Sequence, residues 1–310
     1  MGKIPNLVIA GTVKGGTTSL FRYLAIHPDI CASKRKETCY FLPLRYGTDL
    51  HPWAEYERMF EHYRAQRYVL EATPGYFEGG EKLAKGINAR LGNDIRVIIT
   101  LRNPAERLIS FFRYKQAQLQ LSKDLGLDAY IKMCMSMPIA DRRQEENDAF
   151  WGVDGGRYMQ YLPDWFSVFG KDNVKVVFFD SIEKEPRLVM MELCNWLGLD
   201  SSLYLNTNFT IENQTVQYRY AWLHGIAIKL NRRSEMALRI FPSVKRLVRR
   251  VYYRLNGSSG NRELHLSHDR ALDGLYADDN HALAAFLIEQ GYNNLPAWLA
   301  HYINEHENIK

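Results

Sequence analysis

The feature that most constrains this chain lies in its first twenty-six residues. Asn6–Ala10 (Asn-Leu-Val-Ile-Ala) is a short, nearly unbroken apolar run, the pattern of a strand buried on both faces. It gives way to Gly11-Thr12-Val13-Lys14-Gly15-Gly16-Thr17-Thr18-Ser19, and an amphipathic stretch from Thr17 to Ile26 follows, stopping before His27-Pro28. A buried strand that turns directly into a helix opens a crossover unit. Repeated, such units build a parallel sheet covered by helices on both faces. The turn itself is chemically loaded. Its glycines let backbone N–H groups approach an anion closely, and the helix N-terminus adds partial positive charge. Lys14 adds a full charge, and Thr17, Thr18 and Ser19 add hydroxyl donors.

Spacing narrows the choice of anion. Gly11 and Gly16 stand as the two glycines of the G-x-x-x-x-G-K-[ST] triphosphate loop do, but Thr17 occupies the lysine position. The lysine lies inside the loop instead, at position 14. That placement does not support the Mg²⁺ geometry of a nucleotide triphosphatase. It suits contact with the bridging oxygen of a transferable group.

The strand–helix alternation continues. Tyr68–Ala72 reads as a strand, Glu81–Leu91 as a helix stopped by Gly92, and Ile95–Leu101 as the clearest buried strand. Asn103 and Pro104 then cap and start a helix that runs to about Gln120. Val174–Phe179 is a further strand, and Pro186–Leu197 a helix ending at Gly198. Four or five parallel strands are expected, with Ala10, Ala72 and Leu101 ending at one sheet edge, where ligands of such folds bind. After about Thr210 the pattern is mostly helical (221–232, 234–255, 268–289 and 296–306), interrupted by a flexible loop at Gly257-Ser258-Ser259-Gly260. The expected organisation is one domain over residues 1–310: an α/β nucleotide-binding core at 1–210 with helical C-terminal additions at 211–310.

Net charge is a mild +5, but between Ala221 and Asn256 nine Lys and Arg face the single Glu235. A basic, amphipathic segment over 229–254 makes contact with an anionic or membrane surface one expectation and a solvated helix face the other. Its two adjacent tyrosines, Tyr252 and Tyr253, are too local for a stacking platform, so no nucleic acid is expected. Cys31, Cys39, Cys134 and Cys194 form no C-x-x-C pair and read as free thiols in a reducing compartment. No apolar run is long enough to span a bilayer, and the chain leads into its first strand without room for a signal peptide. The expected location is cytoplasmic. His265 and His268 have ligand spacing but lack a third partner, so no metal is expected. His62, just before the second predicted strand, is a neighbour of the site at most.

Several segments in order carry a resemblance. They are Pro5-Asn6-Leu7-Val8-Ile9-Ala10 with the loop through Leu20, His27-Pro28-Asp29-Ile30, Lys36-Glu37-Thr38-Cys39-Tyr40-Phe41, Glu71-Ala72-Thr73-Pro74-Gly75-Tyr76-Phe77, Leu101-Arg102-Asn103-Pro104-Ala105-Glu106-Arg107 with Ser110, and Gly156-Arg157-Tyr158. Together they resemble the heparan-sulfate (glycan) branch of the sulfotransferases that use 3′-phosphoadenosine 5′-phosphosulfate (PAPS), over some two-thirds of the chain. The resemblance implies the P-loop-like sulfotransferase fold and transfer of a sulfuryl group to a hydroxyl or amine without a metal, leaving 3′-phosphoadenosine 5′-phosphate (PAP). It implies that Lys14, Gly15, Gly16, Thr17, Thr18 and Ser19 bind the 5′-phosphosulfate. Arg102 and Ser110 match the residues that bind the 3′-phosphate, and Arg262 loosely matches a late basic loop that closes on it. Glu37 matches the catalytic base, with Lys14 stabilising charge on the leaving oxygen. Glu71, Thr73 and Pro74 match residues that shape the site.

Competing readings stand beside these. Arg102 has an ion-pair partner in Glu106, and Lys34, Arg35 and Lys36 are candidates to pair with Glu37 on a solvated loop. Ala72 stands where many glycan-sulfating members carry Lys, so the acceptor stays open among a glycan, a lipid-linked sugar, a polyketide and a small phenol. The alternatives to a sulfotransferase are a P-loop nucleotide kinase, which requires ATP and Mg²⁺, and a non-catalytic nucleotide- or anion-binding protein.

Overall fold

A computed structural model describes residues 4–209, 217–218, 257–258 and 270–307. Five parallel strands form the central sheet: β1 Leu7–Gly11, β2 Ile30–Ala32, β3 Tyr68–Ala72, β4 Arg96–Leu101 and β5 Val174–Phe178, in the order β2-β3-β1-β4-β5. The principal helices are α1 Thr17–Ala25, α2 Gly80–Leu91, α3 Pro104–Ala117, α4 Leu127–Ser136, α5 Leu162–Phe169, α6 Pro186–Leu197, α7 Ala277–Glu289 and α8 Ala297–Glu307.

The apolar runs supply both faces of the sheet because successive side chains point to opposite sides. Val8, Ala10, Val97 and Ile99 pack into one cluster with Leu83 and Ile87 of α2, Trp165 of α5, and Leu283, Leu287 and Leu299 of α7 and α8. Leu7, Ile9 and Ile98 turn the other way, onto Leu20 and Leu24 of α1 and Met190, Leu193 and Leu197 of α6. A third cluster joins Leu108 and Phe112 of α3 to Tyr130 of α4 and to Tyr276. The register sets Leu7 beside both Leu70 and Arg96, so β1, β3 and β4 end together. The chain crosses from β1 to β2 on one side and later from β3 past β1 to β4 on the other, so the strand order reverses at β1 and a crevice opens beyond its carboxyl end.

Several expected boundaries shift. The three-residue β2 falls between a turn and a basic loop and has no periodicity of its own to reveal it. The helix expected to reach Gln120 stops at Ala117, where Leu119 takes φ 60° and Gln120 N–H turns back to Lys115 O. The helix expected over 268–289 divides into Arg270–Gly274 and α7, with buried Tyr276 between them donating to Val153 O at 3.1 Å. Gly257–Ser258 is not loop: it pairs antiparallel with Gln217–Tyr218, a partner forty residues away that local composition does not disclose. The basic segment 229–254, Arg262, His265 and His268 lie outside the described residues. Among the described residues no helix is long and apolar enough to cross a membrane.

Candidate active site

Three segments meet beyond β1, β3 and β4. The first is the loop 11–16. Gly11 and Thr12 are held to β4, with Thr12 N–H donating to Thr100 O and Oγ1, both at 3.1 Å, and Thr100 Oγ1 donating to Gly11 O at 2.9 Å. The loop then turns through left-handed conformations at Lys14 (φ 69°) and Gly16 (φ 87°). A Cβ at Gly16 would lie 2.8 Å from the Phe179 ring, and one at Gly15 would lie 2.6 Å from both Thr12 Oγ1 and Thr100 Oγ1. No side chain caps α1, which starts straight from Gly16. Its first-turn N–H groups thus have no side-chain cap at the carboxyl end of β1, the arrangement that favours an oxyanion. Thr17 and Ser19 are buried and Thr18 is half-buried in that first turn.

The second segment is Arg102–Asn103 at the end of β4. Asn103 Oδ1 accepts from the N–H groups of Ala105 and Glu106 and starts α3. Tyr158 Oη donates to Arg102 O at 2.7 Å. The Arg102 guanidinium stacks 4.2 Å from the centre of the Phe179 ring and donates through Nε and Nη2 to Glu106 Oε2 at 3.2 and 3.0 Å. The ion pair foreseen as a competitor is thus formed. It engages two of the five guanidinium N–H donors. Phe179 touches both the Gly16 position and Arg102, and so links the loop to the arginine. Ser110 lies half-buried in the second turn of α3.

The third segment is 33–41, which runs out along β3. Ser33 N–H donates to Leu70 O and Glu37 N–H to Ala72 O, both at 2.8 Å. Glu37 is exposed, takes φ 65°, and pairs with Lys36 at 2.7 Å. Lys34 pairs with Glu61 instead, and Arg35 Nη2 donates to Thr38 O. Ala72 is fully buried, and its carbonyl holds the Glu37 backbone. His62 bonds to Ala32 O at the end of β2.

Electrostatics tie the three segments together. Burial lowers the Lys14 pKa to about 8. Arg102 and Lys36 push in the same direction and Glu37 opposes them. The Lys14 ammonium sits 4.8 Å from the centre of the Tyr114 ring. Burial and the Glu37 charge push the Tyr114 hydroxyl up to about 12 and the Cys39 thiol to about 11. Lys14, Lys36 and Arg102 therefore act on one partly desolvated crevice in which Glu37, paired with Lys36, and Glu106, paired with Arg102, are the near carboxylates, an environment that favours an anion. Among the described residues no group of three or more His, Cys, Asp or Glu could hold a metal ion.

Lys14, Gly15, Gly16, Thr17, Thr18, Ser19, Glu37 and Arg102 are thus gathered at one edge, with Ser110 on the adjoining helix. Tyr114, Phe179 and Thr100 escaped the sequence reading, and Tyr158 entered it only as part of a motif without a role. Each is an ordinary core-type residue there, and only its position beneath Lys14, Arg102 or the loop gives it a part in the site.

Comparison with known proteins agrees with this picture. A family model described as sulfotransferase domain matches residues 5–219. The bifunctional heparan sulfate N-deacetylase/N-sulfotransferase 1 of Caenorhabditis briggsae is 24% identical over 310 residues, covering 96% of this chain and 31% of that protein. The heparan sulfate glucosamine 3-O-sulfotransferase 3B1 of Mus musculus is 27% identical over 210 residues, covering 66% of this chain and 50% of the relative. The chain thus spans half or less of the length of these two curated relatives. Among solved structures, a sulfotransferase from Alicyclobacillus acidocaldarius superposes with a TM-score of 0.56 at 22% identity, covering 75% of this chain and 95% of that one.

Proposed function

This chain belongs to the sulfotransferase family, and on that premise we propose that it transfers a sulfuryl group from PAPS to a hydroxyl or amine of a glycan acceptor, with Glu37 as the base. The observation that carries the reading is the convergence of Lys14, Arg102 and Glu37 from three separate segments on one sheet edge, close enough for Arg102 and Glu37 to act on the ionisation of Lys14.

The residues present fit the donor. An uncapped helix N-terminus, a loop whose Gly15 and Gly16 leave no room for side chains, and a desolvated lysine beside an arginine make a cradle for two separated anionic groups. In this reading Lys14, Gly15, Gly16, Thr17, Thr18 and Ser19 hold the 5′-phosphosulfate, and Arg102 and Ser110 hold the 3′-phosphate. When bound, PAPS supplies an activated sulfuryl group on a phosphate leaving group. Lys14 and the α1 amides stabilise the charge that collects on the leaving oxygen. Glu37, exposed at the mouth of the crevice, takes the proton from the acceptor hydroxyl or amine. The loop, Arg102 and Glu37 are fixed to three adjacent strand ends, which supports a reading in which donor and acceptor meet there for in-line attack.

A glycan acceptor is supported by the two heparan-sulfate relatives. We also read residues 1–310 as one domain, an α/β core at 1–210 with helical additions at 211–310. Leu283, Leu287 and Leu299 share the cluster of Val97 and Ile99, which supports that reading.

The test is a Glu37→Gln variant. It is expected to bind PAP as the wild type does and to transfer no sulfuryl group from labelled PAPS to fully desulfated heparan sulfate. A Glu37→Gln protein with wild-type turnover removes Glu37 from the mechanism.

A further inference from the structure

We propose that Glu71 is the positioning residue of this site, a buried acceptor-only carboxylate that sets the conformation of the segment carrying Glu37. The proposal rests on the reading of Glu37 as the base.

Glu71 is the fourth residue of β3 and is fully buried. Among the described residues no cation pairs with it. Four hydroxyls surround it instead. Thr38 Oγ1, Thr73 Oγ1 (3.0 Å) and Tyr76 Oη (2.6 Å) donate to Oε1, and Tyr56 Oη donates to Oε2. Burial raises its pKa above the ordinary carboxylate value, and the four donated hydroxyl bonds oppose that rise by favouring the ionised form. A buried carboxylate without a cation is costly to keep, and a leucine would fill the space without that cost.

What a leucine lacks is polarity. An ionised carboxylate only accepts, so each hydroxyl around it must donate inward and turn its lone pairs outward. Three of those lone-pair faces meet three consecutive amides of the Glu37 segment. Thr73 Oγ1 accepts from Cys39 N–H at 3.2 Å, Thr38 Oγ1 from Tyr40 N–H at 3.4 Å, and Tyr76 Oη from Phe41 N–H at 3.1 Å. Two residues before the first of them, Glu37 N–H is held by Ala72 O at 2.8 Å. Residues 37–41 are thus tied to β3 and the turn after it by Ala72 O, Thr73 Oγ1 and Tyr76 Oη, and to one another by Thr38 Oγ1, and Glu71 orients the three hydroxyls.

The segment needs such holding. Glu37 and Cys39 both take left-handed φ angles, 65° and 58°, which residues with a Cβ avoid unless their surroundings impose them. The Glu37 side chain is itself exposed. The network around Glu71 therefore fixes the backbone from which that carboxylate projects, and the Lys36 ion pair holds its tip.

The experiment compares wild type, Glu71→Gln and Thr38→Val. Glu71→Gln keeps the shape but puts an amide donor where one acceptor stood. Thr38→Val removes a single tether and leaves the carboxylate in place. Amide hydrogen exchange over residues 37–41 is expected to quicken on the order of tenfold in both variants, with β1 and β4 unchanged. Turnover from PAPS to fully desulfated heparan sulfate is expected to fall about 10²-fold in kcat for Glu71→Gln, with PAP affinity held within about twofold of wild type. Thr38→Ser is expected to restore what Thr38→Val loses. Unchanged exchange over 37–41 in the variants overturns the proposal, and if Glu71→Gln does not fold, Thr38→Val decides it alone. Wild-type turnover in Glu71→Gln beside a dead Glu37→Gln also overturns it. Wild-type turnover in Glu37→Gln removes the base reading instead and leaves the exchange result to judge the tether.

Discussion

Lys14 makes the account quantitative through pH. An ordinary lysine titrates near 10.5, and in the free site burial and Arg102 bring Lys14 down to about 8. A bound anion that contacts the ammonium favours its charged form and moves the pKa back up. Binding of PAP above pH 8 must then take up a proton at Lys14. If contact with the phosphate restores the ordinary value, the apparent Kd is level from pH 7 to about 8. It then weakens by up to about tenfold per pH unit as pH climbs towards 10.5. The phosphates do not confuse the reading, because their second ionisation lies near pH 6 and is complete over this range. Stability of the free protein runs the opposite way. The folded-state pKa is depressed, so between about pH 8 and 10.5 the unfolded chain binds the proton that folded Lys14 has lost. Over that window Lys14 makes the fold more stable as pH rises, and its contribution is lost as pH falls through about 8. The assay is calorimetric titration with PAP at pH 7, 8, 9 and 10, repeated in two buffers of different ionisation enthalpy so that proton uptake is read directly. Lys14→Met should bind more weakly at pH 7 and show a level profile. A wild-type Kd unchanged from pH 7 to 10, or an equal slope in Lys14→Met, refutes the assignment of Lys14 to the anion.

Three further outcomes follow from the packing. Gly16→Ala places a Cβ at φ 87° and 2.8 Å from the Phe179 ring on which Arg102 stacks; it should cost about 1–2 kcal/mol in backbone strain alone and weaken PAP binding, read by urea denaturation and calorimetry. Asp154→Ala strips the buried Arg142 of its partner at 2.6 Å and should destabilise by about 3–5 kcal/mol in a denaturant titration. Leu287→Ala, fully buried beneath the sheet in α7, should cost about 2–5 kcal/mol, whereas an α7 that packs only on itself would show much less.

How much of this was legible in the sequence depended on how local the cause was. The β1 run, the glycine-rich loop and the Asn103–Pro104 start of α3 each state their structure within a few residues, and their boundaries shift by one or two positions at most. The common edge of Lys14 and Arg102 follows from parallel strands alternating with helices, whereas Glu37 reaches it because the segment after β2 runs along β3 and bonds to Ala72 O, which no local pattern announces. Other features depend on partners far along the chain. β2 is three residues long and is made a strand by pairing with β3. The break before α7 exists because Tyr276 is drawn to Val153. Glu71 shows the limit most plainly. The sequence marks it as the end of a strand and, by resemblance, as one of the residues that shape the site, while the hydroxyls that explain a buried carboxylate come from positions 38, 56, 73 and 76. Arg102 was foreseen both as a phosphate ligand and as the partner of Glu106. The ion pair is present, and Phe179 beneath the guanidinium, which no spacing rule reveals, joins that arginine to the loop.

The central claim is that the crevice beyond β1 is built for PAPS rather than for a nucleoside triphosphate. Calorimetric titration with PAP, run beside ATP with Mg²⁺, tests it most directly. The account predicts saturable binding of PAP that is weakened in Lys14→Met and Arg102→Ala, with no comparable heat from ATP. Preference for ATP and Mg²⁺ would contradict it and point to a kinase, and binding of neither would leave the loop without the donor that its lysine, glycines and hydroxyls imply.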